Sequence, residues 1–178
     1  MVDELARLER LVQGWFANMQ HESGALSSYE MAAFRGLLGS EGYDFLGEGG
    51  SRVVVALSPD LVAKIDTMID WAGVNRTEAD RWREAERVGY GEVFNPVLFI
   101  TESDMAWMDS RILVTPRAQV VFEHEVPRGR KREYASALKS AIEFFEQCYP
   151  GSDDVEDIHY PFNWGIVDGQ VRCIDYGS

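Results

Sequence analysis

Along residues Asp3 to Gln20 the apolar positions Leu5, Leu8, Leu11, Val12, Trp15, Phe16 and Met19 recur at three- and four-residue spacings. That period predicts an amphipathic helix, with Asp3 as N-cap and acids in the first turn. Its stripe is wide and aromatic. Packing on its own domain is the simpler use of such a face, and a partner's groove is the other. A second helix is predicted from Ser28 to Leu38, where Tyr29, Met31, Ala32, Phe34, Leu37 and Leu38 are apolar, and Gly39 to Gly42 ends it. From Tyr43 the texture becomes that of strands. Tyr43 to Leu46 reads as a strand, Gly47 to Ser51 as a glycine-rich turn, and Val53 to Leu57 as a β-branched strand. Ser58 to Asp60 is a turn and Leu61 to Ile65 a third strand, so the pattern is a meander rather than a strand–helix–strand unit. Asn75 to Val88 returns to helix, with a weakly apolar face through Ala79, Trp82, Ala85 and Val88. Val97 to Ile100 and Arg111 to Thr115 are predicted as a fourth and a fifth strand, the latter ending in Pro116 to Ala118. After a polar stretch from Val120 to Arg132, Glu133 to Cys148 is an amphipathic helix with Leu138, Ala141, Ile142, Phe144 and Phe145 as core. An acidic loop, Pro150 to Glu156, then leads to two short strands, Trp164 to Val167 and Val171 to Ile174. The Asp168-Gly169 pair between them suits a tight two-residue hairpin turn.

Composition narrows the class. At 178 residues the chain can form one well-cored domain or two small lobes, and 46% hydrophobic with 12% aromatic residues marks a folded protein. A net charge of −13, from 30 acidic against 17 basic residues, argues against a nucleic-acid surface, which needs clustered cations. The charge serves solubility, or forms an acidic interaction face. Cys148 and Cys173 stand far apart in no metal spacing, which fits a reduced, cytoplasmic protein. No apolar run approaches the length of a membrane span, and the acidic start, Met1 to Leu5, is unlike a signal peptide.

The final stretch carries the clearest chemistry. Asp157 is followed by His159 and, six residues after the acid, by Asn163. The hairpin returns the chain to Asp175, so Asn163 and Asp175 come to one edge, where two oxygen ligands can share a hard cation such as Mg²⁺. Upstream, Glu78 shares a face with Trp82 and Ala85: it is one more solvated charge of a charged helix, or it points inward, where a carboxylate needs a cation. Lys64, on the preceding strand, is its natural partner. Glu84 is the reserve, though it lies round the helix from Glu78. The glycines of the Gly47–Ser51 turn, Gly47, Gly49 and Gly50, mark an ordinary hairpin or a backbone that a ligand can approach without a Cβ in the way. Lys64 follows a strand rather than opening a helix, so a P-loop is a poor match. His124 reads as a surface residue, because no second His or Cys is suitably spaced. The basic run Arg128 to Arg132 opens the next helix or forms a polyanion patch. The acidic loop lacks the ligand spacing of a Ca²⁺ loop.

Taken in order, the glycine-rich turn, Val62 to Lys64, Glu78, the Pro116–Ala118 turn and the Asp157/Asn163/Asp175 set resemble the protein-kinase-like fold, over about residues 43 to 177. The likeness is closest to short kinase-like proteins of phage-type genomes. Three departures stand out. Asp157 and Asn163 are six apart where the family has five, Tyr176 replaces the Phe of the Asp-Phe-Gly segment, and Arg52 stands where a last glycine is expected. The resemblance implies an α+β fold with a small lobe of five antiparallel strands and one helix (43–118). A truncated helical large lobe would carry the catalytic loop and metal-binding hairpin (119–178), with a helical extension before them (1–42). It further implies ATP and Mg²⁺ as cofactors. Gly47, Gly49, Gly50, Ser51 and Lys64 would lie on the phosphates, and Arg117 and Ala118 would hold the adenine by their backbone, Pro116 having no donor. Glu78 would fix Lys64, Asn163 and Asp175 would hold the metal, and Asp157 would be catalytic. The implied activity is phosphoryl transfer to a hydroxyl. The rival reading is a kinase-like protein with little turnover that binds and modulates a protein partner, such as a host protein, through its acidic surface. Neither reading involves nucleic acid or membrane.

Overall fold

In the computed structural model, which describes residues 2–19, 24–69, 73–105, 108–152 and 154–176, the N-terminal helix α1 spans Val2–Ala17. Asp3 lies inside its first turn rather than capping it. Helix α2, Ser28–Ser40, begins one residue after a capping box: Ser27 Oγ accepts the Glu30 N–H at 3.3 Å, and the Glu30 carboxylate accepts the Ser27 N–H at 2.7 Å. Five strands follow: β1 (Phe45–Glu48), β2 (Arg52–Ser58), β3 (Leu61–Asp66), β4 (Phe99–Ile100) and β5 (Ile112–Pro116). They form one sheet in the order β1-β2-β3-β5-β4. β1 pairs with β2, β2 with β3 and β4 with β5, all antiparallel. Leu8, Val12 and Phe16 of α1 and Phe34 and Leu38 of α2 share one core with Val53, Val55, Ile65, Ile112 and Val114 of the sheet. The stripe read in the first helix is therefore used on its own sheet.

Arg111, fully buried, braces this core. Its guanidinium donates to the carbonyls of Asp66 at 3.0 Å, of Met68, and of Ile69 at 3.3 Å, and it lies 4.1 Å from the Phe16 ring centroid. Carbonyl dipoles and the ring face replace the water that a buried cation loses.

Helix α3 spans Gly73–Val88. The chain divides within it into two compact units, Met1–Arg76 with Leu98–Thr115 and Thr77–Val97 with Pro116–Ser178. In the second unit α4 spans Lys131–Cys148 and the short α5 spans Asp154–Asp157. Strands β6 (Val120–Val121), β7 (Trp164–Val167) and β8 (Gln170–Cys173) form an antiparallel sheet in that order. Its core is aromatic: Phe94, Phe122, Phe144, Phe145, Trp164 and Tyr176 pack with Ile158 and Val171. The Phe94 ring stands 5.0 Å from that of Phe144 and 4.8 Å from that of Tyr176. The architecture is thus mixed α+β, with a five-stranded and a three-stranded sheet. Among the described residues no helix is long and apolar enough to cross a membrane.

Several element bounds differ from the sequence pattern for local reasons. β1 runs two residues further than expected, because Gly47 and Glu48 pair with Val54 and Val53 after a register shift. The fourth strand is reduced to two residues, with the Leu98 N–H still bonding the Val114 carbonyl of β5 at 2.9 Å before it. Val120 and Val121 form a strand inside a stretch that reads as polar, because β7 supplies the partner.

Candidate functional site

The β7–β8 hairpin is the framework of the candidate site. Asp168 and Gly169 take φ of 51° and 79°, the left-handed pair that a two-residue turn of this type requires. Pairing is regular from Val167–Gln170 back to Trp164–Cys173. Where the strands end, the Ile174 N–H donates to the Asn163 carbonyl at 2.7 Å and the Asp175 N–H reaches the same oxygen at 3.4 Å. The hairpin therefore brings Asn163 and Asp175 together, as the Asp-Gly turn predicted.

The loop from Asp157 to Asn163 is tied at both ends. The Asn163 side-chain amide donates to the Asp157 carbonyl at 2.9 Å, and the Tyr160 N–H reaches that carbonyl at 3.1 Å. Trp164 Nε1 donates to the Ile158 carbonyl at 2.7 Å, and the Tyr134 hydroxyl to that of His159 at 3.3 Å. His159 Nδ1 lies 2.6 Å from the Val155 carbonyl. Asp157 ends α5 and Pro161–Asn163 form a 3-10 turn, so the six-residue spacing is taken up by two short helical turns. The turn presents the rings of Tyr160 and Phe162, stacked at 5.2 Å with 10° between planes and each about half exposed, 50% and 52%.

This geometry can be tested against a cation. With Nδ2 engaged on the Asp157 carbonyl, Asn163 has Oδ1 as its ligating atom, on backbone bonded to that of Asp175. Side-chain oxygens of this kind are the donor type that Mg²⁺ takes, one or two from the protein with water and phosphate for the rest. Among the described residues no group of three or more His, Cys, Asp or Glu is placed to hold a metal.

The remaining candidates divide between the units. In the first, Gly47 lies in β1 opposite Val54, a correction to its expected place in the turn. The turn is 49–51: the Gly49 N–H donates to the Arg52 carbonyl at 2.9 Å, and the Ser51 carbonyl accepts from the Thr67 N–H at 2.7 Å. Lys64, 6% exposed, stands in β3 opposite Val54. Its carbonyl accepts from Asn75 Nδ2 at 3.0 Å. In the second unit Glu78 is fully buried on α3. Glu84 instead pairs with Arg87 one turn on, 2.5 Å away at the surface, and that hydrogen bond holds its carboxyl below the usual range. Arg117 and Ala118 are half-buried, and the Pro116 carbonyl before them accepts from Asn95 Nδ2 at 2.9 Å. His124 is exposed, and Arg130 of the basic run pairs with Glu133 at 2.7 Å.

The pattern of the sequence did not single out Asn95, Arg81 or Asp66. Asn95 is buried and bonds two distant segments, at Pro116 and at Cys173 and Tyr176. Arg81 is buried and donates to the Tyr176 carbonyl. Asp66 accepts the N–H groups of Met68 at 3.0 Å and Val74 at 3.1 Å, fastening the start of α3. Burial pushes its carboxyl up. Only the Asn95-Pro96 dipeptide marked one of these places as unusual, and then only as a loop. No family model matches the chain, and no curated protein matches its sequence.

Proposed function

We propose that this protein is a minimal ATP- and Mg²⁺-dependent phosphotransferase of the protein-kinase-like type, acting on a hydroxyl acceptor. The observation that supports the reading most is the bonding of Asp157, Asn163 and Asp175 into one backbone-linked group by a regular hairpin. In this reading Asn163 Oδ1 and the Asp175 carboxylate hold the cation. When bound, Mg²⁺ neutralises phosphate oxygens as charge builds on them. Lys64 carries phosphate oxygens, Glu78 fixes Lys64, the backbone of Gly49, Gly50 and Ser51 covers the phosphates, and Arg117 and Ala118 take the base. Asp157 orients the acceptor: its hydroxyl oxygen bonds to the γ-phosphorus, the bond to the bridging oxygen breaks, ADP leaves, and the hydroxyl proton passes to the Asp157 carboxylate. Two free cysteines suit the cytoplasm as its compartment.

Thermal denaturation with and without ATP and Mg²⁺ tests the site, since ligand at 100-fold above its Kd stabilises by about 2.7 kcal/mol. Asp157→Asn is expected to keep that shift while phosphate transfer falls by about 10²–10⁴-fold, and Asp175→Asn to lose the shift itself. An unchanged melting temperature at millimolar Mg²⁺–ATP rejects the reading. The exposed, stacked Tyr160 and Phe162 rings favour a second one, a kinase-like protein that engages a partner. Biological activity that survives in the Asp157→Asn, Asp175→Asn double variant would establish the partner-binding form.

A further inference from the structure

Asp175 lies just past the last ladder pair of the hairpin, Trp164–Cys173. The strand ladder ends there; the Asp175 N–H still reaches the Asn163 carbonyl at 3.4 Å and Cys173 Sγ lies 3.5 Å from the Asp175 carbonyl, and tertiary bonds fasten the chain on either side. Before it, the Cys173 carbonyl accepts the Asn95 N–H at 2.8 Å, within a parallel bridge between Phe94 and Cys173. Arg172 adds a bond to the Phe94 carbonyl at 3.1 Å. After it, the Tyr176 hydroxyl donates to the Asn95 carbonyl at 2.6 Å, and the Tyr176 carbonyl accepts from the Arg81 guanidinium at 2.5 Å. The Tyr176 ring packs on Phe94. One residue, Asn95, thus grips the chain on both sides of Asp175, with its N–H on Cys173 and its C=O on Tyr176. Its side chain meanwhile anchors to Pro116.

These bonds are made where water does not compete: Asn95 is 2%, Tyr176 1% and Arg81 8% exposed. Buried hydrogen bonds are stiffer than exposed ones and costly to break. Phenylalanine at 176 would fill the same space, so the hydroxyl serves the bond to Asn95. Arginine in an aromatic core, over the rings of Phe145 and Tyr149, is likewise dear for packing alone. A metal-binding carboxylate needs such outer support, because its affinity depends on how tightly its position is set.

We infer that Arg81, Asn95 and Tyr176 are positioning residues for Asp175, holding its carboxylate at the place where it meets the cation. The inference rests on the phosphotransferase reading, and its test separates the two. The measurement is the Mg²⁺ concentration that half-saturates the Mg²⁺-dependent binding of a fluorescent ATP analogue, well below the melting temperature. The metal-free affinity of the analogue, in EDTA, is the control. Tyr176→Phe and Arg81→Met are each expected to raise the Mg²⁺ midpoint about tenfold, the lower end of what removing an outer-shell partner does. Arg81→Lys, which keeps a donor for the Tyr176 carbonyl, is expected to recover most of that loss, and the metal-free affinity is expected to hold in all three. A Mg²⁺ midpoint unchanged in both Tyr176→Phe and Arg81→Met, with a lowered melting temperature, overturns the inference and makes these residues core packing only. Should Tyr176→Phe not fold, the Arg81→Met and Arg81→Lys pair decides. No Mg²⁺-dependent binding in the unmodified chain overturns the phosphotransferase reading and the inference with it.

Discussion

Two hairpins carry or adjoin Gly47, Gly49, Gly50, Ser51, Asn163 and Asp175, and they are built on different terms. In β7–β8 two residues have positive φ, all four pairs are in register, and Gly165 has no room for a side chain. A Cβ there would meet the Val120 carbonyl at 2.7 Å and the Ala118 Cβ at 2.8 Å. In β1–β2 the register slips between Phe45 and Gly47, and a Cβ at Gly47, Gly49 or Gly50 would meet open space without positive φ at any of them. The glycines of the first hairpin are thus not demanded by the fold, whereas those of the second are. Steric demand shows which glycines build the structure. Where it is absent, the approach of a ligand to the backbone is a reason that stays open to test.

The sharpest way to break this contrast is Gly165→Ala. Backbone and a short side chain stand in the way and neither can swing aside, so a loss of about 1–3 kcal/mol is expected, as for overpacked cores. Chemical denaturation measures it, and a loss under about 0.5 kcal/mol would mean that β6 and β7 part easily. A smaller effect is expected from Glu133→Gln. Glu133 accepts the Val171 N–H of β8 at 2.8 Å and the Arg130 guanidinium at 2.7 Å, and these bonds lower its carboxyl below the usual range, the Arg130 bond contributing most. A folded-state pKa below the unfolded one stabilises above the ordinary carboxylate range and loses that stability as pH falls through the folded value. The pair is part-exposed, so the difference from the unmodified chain should be at most about 1 kcal/mol near neutral pH. It should vanish in acid, as melting curves across pH would show. The smallest stability effect belongs to Gly50→Ala, expected to be neutral or stabilising by about 0.4–1 kcal/mol through the unfolded chain. Its sharper readout is nucleotide affinity, which should fall if the turn's backbone meets phosphate. Unchanged affinity would make this turn an ordinary hairpin.

Much of the architecture was legible from residue spacing. Leu8, Val12 and Phe16 recur at helical steps because a face that buries must repeat with the turn of the helix, and the Asp168-Gly169 pair names its own turn through left-handed φ. The nearness of Asn163 and Asp175 follows from that turn and from counting pairs back along the strands. The six-residue spacing from Asp157 could be counted too, but not how a loop absorbs it.

What the sequence by itself determined, then, is what depends on neighbours a few residues away: the main helices, the meander and the hairpin. The tertiary structure alone decided the rest. Helices α1 and α2 share a core with a sheet that begins beyond them, and Arg111 finds carbonyl partners more than forty residues away. Asn95 clasps Cys173 and Tyr176, some eighty positions on. A buried polar group must find its partner wherever the fold supplies one, and backbone carbonyls are offered by every residue type. Such bonds leave no mark in residue spacing, which is why Asn95 and Arg81 became visible only once the chain had closed around Asp175.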